Sequence, residues 1–159
     1  MKTILLDQAS ITIDELVAVA RSKQPVAITS EGRDRIQKAG QLIDQWISER
    51  RVLYGITTGF GALCDVPISA KDTQQLQTNI LMSHAAGVGD ALAEDTVRTI
   101  MAVRIHDLSM GHAGCRVRTI ERLIQFLNKG VTPVIPEKGS VGASGDLAPT
   151  AHLGLVLIG

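Results

Sequence analysis

The sequence predicts a mainly α protein with a short strand or two near its N-terminus, and three observations carry that reading. Capping signatures stand ahead of apolar-periodic stretches, at Thr12 with Glu15, at Ser30, and at Ser69 with Asp72. Behind them apolar residues recur at helical spacing, as in Ile36, Ala39, Ile43 and Ile47, or Val97, Ile100, Met101 and Ile105. No alternation of strand and helix patterns runs through the chain, and no internal repeat or low-complexity tract interrupts it.

In chain order, residues 2–6 read as a short strand. The Thr12–Glu15 capping box opens a helix over 11–23 that ends near Pro25. Ser30 is the expected cap of a second helix, which gives way to a glycine-rich loop over 53–67. Ser69 and Asp72 open a third, closed by Gly87 and Gly89. A fourth is expected from Glu94 to Ser109, and a fifth from Cys115 to Lys129 with Gly130 at its C-terminal end. A loop over 132–145 then leads to a last helix starting near Asp146. That helix is apolar on every turn, which is the pattern of a helix inside a larger protein. The expectation is therefore one N-terminal domain over 1–159, cut inside its last helix and exposing surface meant for missing partners.

Composition narrows the function classes. Charged residues make up 20% of the 159 positions, and 16 basic residues balance 16 acidic ones to a net charge of +0. A neutral chain with 3% aromatics offers neither a basic stripe nor stacking platforms for nucleic acid. No apolar stretch suits a membrane span, and the N-terminus lacks the pattern of a signal peptide, so a soluble cytoplasmic protein is expected. Cys64 and Cys115 form no CxxC pair and read as buried reduced thiols. His106, His112 and His152 lack the spacing of helix-borne metal ligands and are taken as structural, and no metal site is expected.

The segment GSVGASGDLAPTAHLGLVLIG, residues 139–159, concentrates the unusual chemistry. Gly139, Gly142 and Gly145 follow neither the dinucleotide fingerprint nor the Walker A pattern. GASGD also misses the nucleophile elbow, because Asp146 stands where the last glycine belongs. An anion site at the helix N-terminus, or a plain hinge, stays open. Backbone chemistry offers a third reading. In a tightly folded Ala-Ser-Gly, the Gly145 amide nitrogen can reach the Ala143 carbonyl carbon, since glycine has no Cβ to block it. Ring closure loses one water, and loss of the Ser144 hydroxyl loses a second. The product is a methylidene conjugated with the ring, a carbon electrophile built from the chain itself.

Three stretches together carry a resemblance: YGITTGFG at 54–61, LMSHAAGVG at 81–89 and GSVGASGDLAP at 139–149, with GVTPVIPEKGS leading into the last. In order and spacing the chain resembles the N-terminal third of the aromatic amino acid ammonia-lyase family, histidine ammonia-lyases and their relatives. The resemblance implies the N-terminal part of an aspartase/fumarase-like helical fold. It implies that Ala143, Ser144 and Gly145 condense into a 4-methylidene-imidazol-5-one (MIO) electrophile, with no external cofactor. The substrate amino group would add there, a β-proton would leave, and ammonia and an unsaturated acid would be released, urocanate in the case of histidine.

Residue by residue, the resemblance makes Tyr54 an acid/base at the reacting carbon, where otherwise it is an ordinary buried phenol bonded to a carbonyl. It turns the Gly61 N–H toward the substrate carboxylate, where otherwise the glycine serves the turn. Ser83 and His84 fall in the segment that selects the substrate side chain, and Asp146 is implicated in ring formation or serves as a helix N-terminal charge. Thr150, the GHAGCR segment and His106 depart from the usual pattern and blur the subfamily. A homotetramer with an aromatic amino acid substrate is implied, and 159 residues alone are expected to be catalytically incomplete. A tyrosine or phenylalanine lyase or aminomutase is the alternative within the family. A non-catalytic interaction module that keeps the fold is the alternative outside it.

Overall fold

Helices begin where short polar side chains can take the first free amides, as seen in the computed structural model, which describes residues 2–64, 66, 68–139, 145 and 147–159 (side chains at 70, 71 and 73 excepted). Helix α1 (Ile13–Arg21) opens on the expected reciprocal box. The Glu15 amide donates to Thr12 Oγ1 at 3.2 Å, and the Thr12 amide donates to Glu15 Oε2 at 2.8 Å. Helix α2 (Ser30–Ser48) corrects the sequence expectation by one residue, because Thr29 rather than Ser30 is the cap. The buried Asp7 carboxylate accepts both the Thr29 amide at 3.1 Å and its hydroxyl at 2.5 Å, which fixes Thr29 outside the helix. Thr29 Oγ1 then accepts the Gly32 amide at 3.0 Å. Helix α3 (Ala70–His84) is capped by Ser69 as expected.

Helix α4 (Glu94–Ser109) spans the expected residues, and α5 (Val117–Lys129) starts two residues later than Cys115. Gly130 closes α5 at φ 70°, the left-handed turn that glycine takes without strain. The last helix, α6, covers Leu147–Ile158. Asp146, expected at its start, lies outside the described residues.

The strands go beyond the sequence reading. β1 (Ile4–Leu5) and β2 (Val26–Ala27) pair in parallel, Ile4 with Val26 and Leu5 with Ala27, through α1. This minimal strand–helix–strand unit corrects the expectation that no such alternation occurs. β3 (Val88–Ala91) and β4 (Pro136–Lys138) form an antiparallel pair inside stretches read as turn and loop. The pair has a consequence for the site: it holds the chain leaving α3 beside the chain entering residues 139–145.

The core gathers around α4. Val97, Met101, Ala102 and Ile105 are buried on it, against Leu6, Val19, Ile36, Ile120, Leu123 and Ile135 from neighbouring elements. Each of the larger side chains contributes about 1.5–3 kcal/mol by leaving water. Arg98 lies among them at 1% exposure. Its Nε and Nη2 donate to the Val19 carbonyl at 3.1 and 2.9 Å, Nε also to Ala20 at 3.2 Å, and Nη1 to Leu127 at 3.1 Å. A cation thus closes the C-terminal ends of α1 and α5, where helix dipoles favour positive charge. Burial pushes its pKa below the usual arginine value, though a guanidinium keeps its proton. Helix α6 buries Ala148, Ala151 and Leu153, whereas Val156 and Ile158 remain 42% and 52% exposed. No described helix is long and apolar enough to cross a membrane.

Candidate active site

Hydroxyl groups set the first glycine loop. Thr57 Oγ1 donates to the Arg51 carbonyl at 2.5 Å and accepts the Leu53 amide at 2.9 Å. Thr58, fully buried, donates to the Gly59 carbonyl at 3.0 Å and accepts the Gly55 amide at 3.2 Å. The Ile68 amide returns to the Thr57 carbonyl at 2.8 Å and closes the loop. Gly55, at φ +69°, lies so close to the Phe60 ring that a Cβ would stand 2.7 Å from it. The result is a fixed loop that holds Tyr54 outward, 64% exposed, with its ring edge-on to Phe60 at 5.7 Å and 71°. Gly61 is also in the left-handed region, at φ +56°, with open space around it.

Helix α3 ends on the second motif. Ser83 Oγ donates to the Ile80 carbonyl at 3.0 Å and lies 2.9 Å from His84 Nδ1. His84 Nδ1 is also 2.9 Å from the Ile80 carbonyl oxygen. A carbonyl only accepts, so this contact fits a neutral ring with its proton on Nδ1 and Nε2 left as an acceptor.

One pocket of about 360 Å³ is lined by a residue from each of the three motif stretches: Phe60, His84 and Leu147. Ile80, Leu123 and Leu157 add apolar walls, and Arg104 adds a cation paired to Asp107 at 2.8 Å. Such a mainly apolar cleft with a few polar groups suits a small ligand. Tyr54 adjoins the pocket through Phe60 and does not line it; Gly61 and Ser83 do not line it either.

Of the triplet, Ala143 and Ser144 lie outside the described residues, as does Asp146. Gly145 is described. It is exposed, at φ +84°, with nothing within 4 Å of where a Cβ would stand. That backbone is rarely open to other residues, and an unobstructed glycine is what ring closure onto Ala143 requires. The described part of the triplet therefore fits the MIO group. Thr58 and Gly145 are the two described residues in isolated β-bridge geometry.

Phe60 and Arg104 line this pocket, and the sequence reading passed them over. Phe60 stood inside the YGITTGFG motif, which was the available signal. Arg104 was one exposed basic residue on a helix, with nothing local to mark it. Cys64 and Cys115 are free and half-buried, and burial raises the Cys115 thiol above its ordinary pKa. His106 Nδ1 lies 2.9 Å from the Leu6 carbonyl, a structural contact. Among the described residues no three His, Cys, Asp or Glu side chains converge as a metal site.

Residues 11–159 match the family model described as aromatic amino acid lyase. The chain is 54% identical, over 95% of its length, to the histidine ammonia-lyase of Symbiobacterium thermophilum, and covers 30% of that relative. Among solved structures it resembles the histidine ammonia-lyase of Trypanosoma cruzi, with TM-score 0.86 and 37% identity over 98% of this chain and 29% of that one. It also resembles a tyrosine aminomutase from Streptomyces globisporus, with TM-score 0.90 and 36% identity over 96% of this chain and 28% of that one. The chain thus spans about 30% of the length of the curated relatives it matches.

Proposed function

Because this chain belongs to the aromatic amino acid lyase family, we propose that it serves an ammonia-lyase that converts L-histidine to urocanate and ammonia. The single observation that carries the substrate is the 54% identity to a histidine ammonia-lyase across nearly the whole chain. On this reading Ala143, Ser144 and Gly145 form the MIO group, which supplies a carbon electrophile toward the substrate amino nitrogen and makes that nitrogen a leaving group.

The chain's own residues have distinct tasks. Tyr54 exchanges a proton at the substrate β-carbon, a weakly acidic position that needs a well-placed base. Its rigid loop and its contact with Phe60 support that placement. His84 offers Nε2 to the substrate side chain at the pocket wall, while Ser83 steadies the imidazole through Nδ1. Gly61 turns its N–H toward the carboxylate, for which its left-handed backbone and open surroundings are permissive. Asp146 assists ring formation. Exposure of Tyr54 supports a site completed by further protein surface, in keeping with a cytoplasmic homotetramer inferred from family membership.

The test is turnover with L-histidine, L-tyrosine and L-phenylalanine by the protein that carries this sequence. Urocanate from histidine is the expected result. Coumarate or cinnamate, or a β-amino acid, would move the reading to the tyrosine or phenylalanine lyases or the aminomutases, which the tyrosine aminomutase likeness keeps in view. No product from any of the three, with an intact Ala-Ser-Gly, would favour a non-catalytic module.

A further inference from the structure

We propose that His152 is a positioning residue: it accepts the Gly87 amide at Nε2 and thereby locks the end of α3, with His84, onto α6. The inference rests on the lyase reading for its importance and on geometry for its content.

Between His84 and the β3–β4 ladder that begins at Val88, the chain has few ties of its own. The Ala85 amide closes onto the Leu81 carbonyl at 3.0 Å, and the Ala86 amide turns back onto the His84 carbonyl at 2.8 Å. Both bonds are local. The next amide, Gly87, donates to His152 Nε2 at 3.1 Å, across 65 residues. Among the described residues this is the first bond after His84 that refers the segment to another element. An acceptor nitrogen must carry a lone pair, so the neutral His152 ring holds its proton on Nδ1.

Glycine at 87 serves closeness rather than conformation, since its φ is not in the left-handed region. A Cβ there would stand 3.0 Å from His152 Nε2 and 3.2 Å from Pro136 Cβ. Two residues further along α6, Gly154 does the same for Leu81, where a Cβ would stand 2.6 Å from Cδ2. Two glycines thus bring α3 and α6 together, and His152 adds a directional bond at that contact. Its flanking residues, Ala151 and Leu153, are buried at 4% and 3%, so the imidazole is presented from a fixed backbone. Misplacing a site group by an ångström is enough to cost a large factor in rate. His152 acts on His84 through backbone and touches no reacting atom.

The test uses the isotopically labelled chain and two substitutions. On the unmodified chain, a scalar coupling across the hydrogen bond between Gly87 N and His152 Nε2 is expected, and its absence overturns the proposal. His152→Phe keeps a flat ring and removes the acceptor. Gly87 amide exchange should quicken roughly tenfold, the scale of one lost hydrogen bond, and the His84 ring resonances should move. His152→Gln restores an acceptor oxygen and should return both signals toward those of the unmodified chain. His84 signals unmoved by His152→Phe would overturn the proposal, as would a His152→Gln chain as disturbed as His152→Phe. None of these readouts needs turnover, so their failure is separate from failure of the lyase reading, which the product assay judges.

Discussion

At the scale of single residues, two side chains carry separable loads. Tyr54 is mostly in water and bound to the fold through its ring edge on Phe60. Tyr54→Phe keeps that ring contact and removes the hydroxyl. The expected outcome is a fall in turnover of about 10²–10⁴-fold, the range of a lost acid/base, with the melting temperature nearly unchanged. Steady-state rates beside a thermal melt check both halves. Arg98 is the converse case. Arg98→Met fills the volume but takes the guanidinium donors from the Val19 and Ala20 carbonyls, and leaves Leu127 with its Gly130 amide alone. The expected loss is about 2–4 kcal/mol, because buried acceptors are left unpaired, and urea unfolding measures it. Arg98 was legible in one respect. It precedes Met101 and Ala102 by three and four residues, so it falls on the apolar face of α4. A charged residue on that stripe signals a buried task. Its partners, the ends of two other helices, have no local trace in the sequence.

At the scale of elements, caps and edges decide. Glu15 is held below the ordinary glutamate range by its bond to the Thr12 backbone first and to the Thr12 side chain second. A carboxyl depressed in the folded state stabilises it above the unfolded value of about 4.3. That contribution fades as pH falls through the lowered folded value. Amide protection at the start of α1 should therefore hold near neutrality and drop on acidification below about pH 4, and Glu15→Gln should flatten the dependence. Hydrogen exchange across pH resolves this. The edge of β2 is closed by a side chain instead of a strand: Asn128 gives Nδ2 to the Val26 carbonyl and takes the Val26 amide at Oδ1, both at 2.9 Å. Asn128→Ala removes both bonds from a buried residue and should cost about 1–3 kcal/mol, read as a lowered denaturant midpoint with an unchanged slope.

Helix positions were legible because capping and periodicity are local, as at Thr12, Ser69 and Gly130. The cap of α2 was missed by one residue because Asp7, distant in sequence, selects Thr29 over Ser30. The β3–β4 pair was invisible for a related reason. VGDA and PEK are short, largely exposed and contain glycine or proline, so neither announces a strand without the other beside it.

At the scale of the whole molecule, separate motifs become one site by packing. Phe60, His84 and Leu147 are far apart in sequence, yet line one pocket. The β3–β4 ladder and the α3–α6 contact supply that convergence. That the three motifs mark stretches lining one pocket was readable from the sequence; that Phe60 faces the pocket while Tyr54 stands outside it was not, because Thr57 and Thr58 set the loop's path through bonds that no spacing rule anticipates. The central claim is chemical, that the backbone at residues 143–145 becomes an electrophile. Its most direct test is an intact mass and a peptide map of the protein isolated from its natural host. The account predicts a mass short by two waters, with the deficit confined to the peptide holding Ala143, Ser144 and Gly145. An unmodified Ala-Ser-Gly in that protein would contradict it.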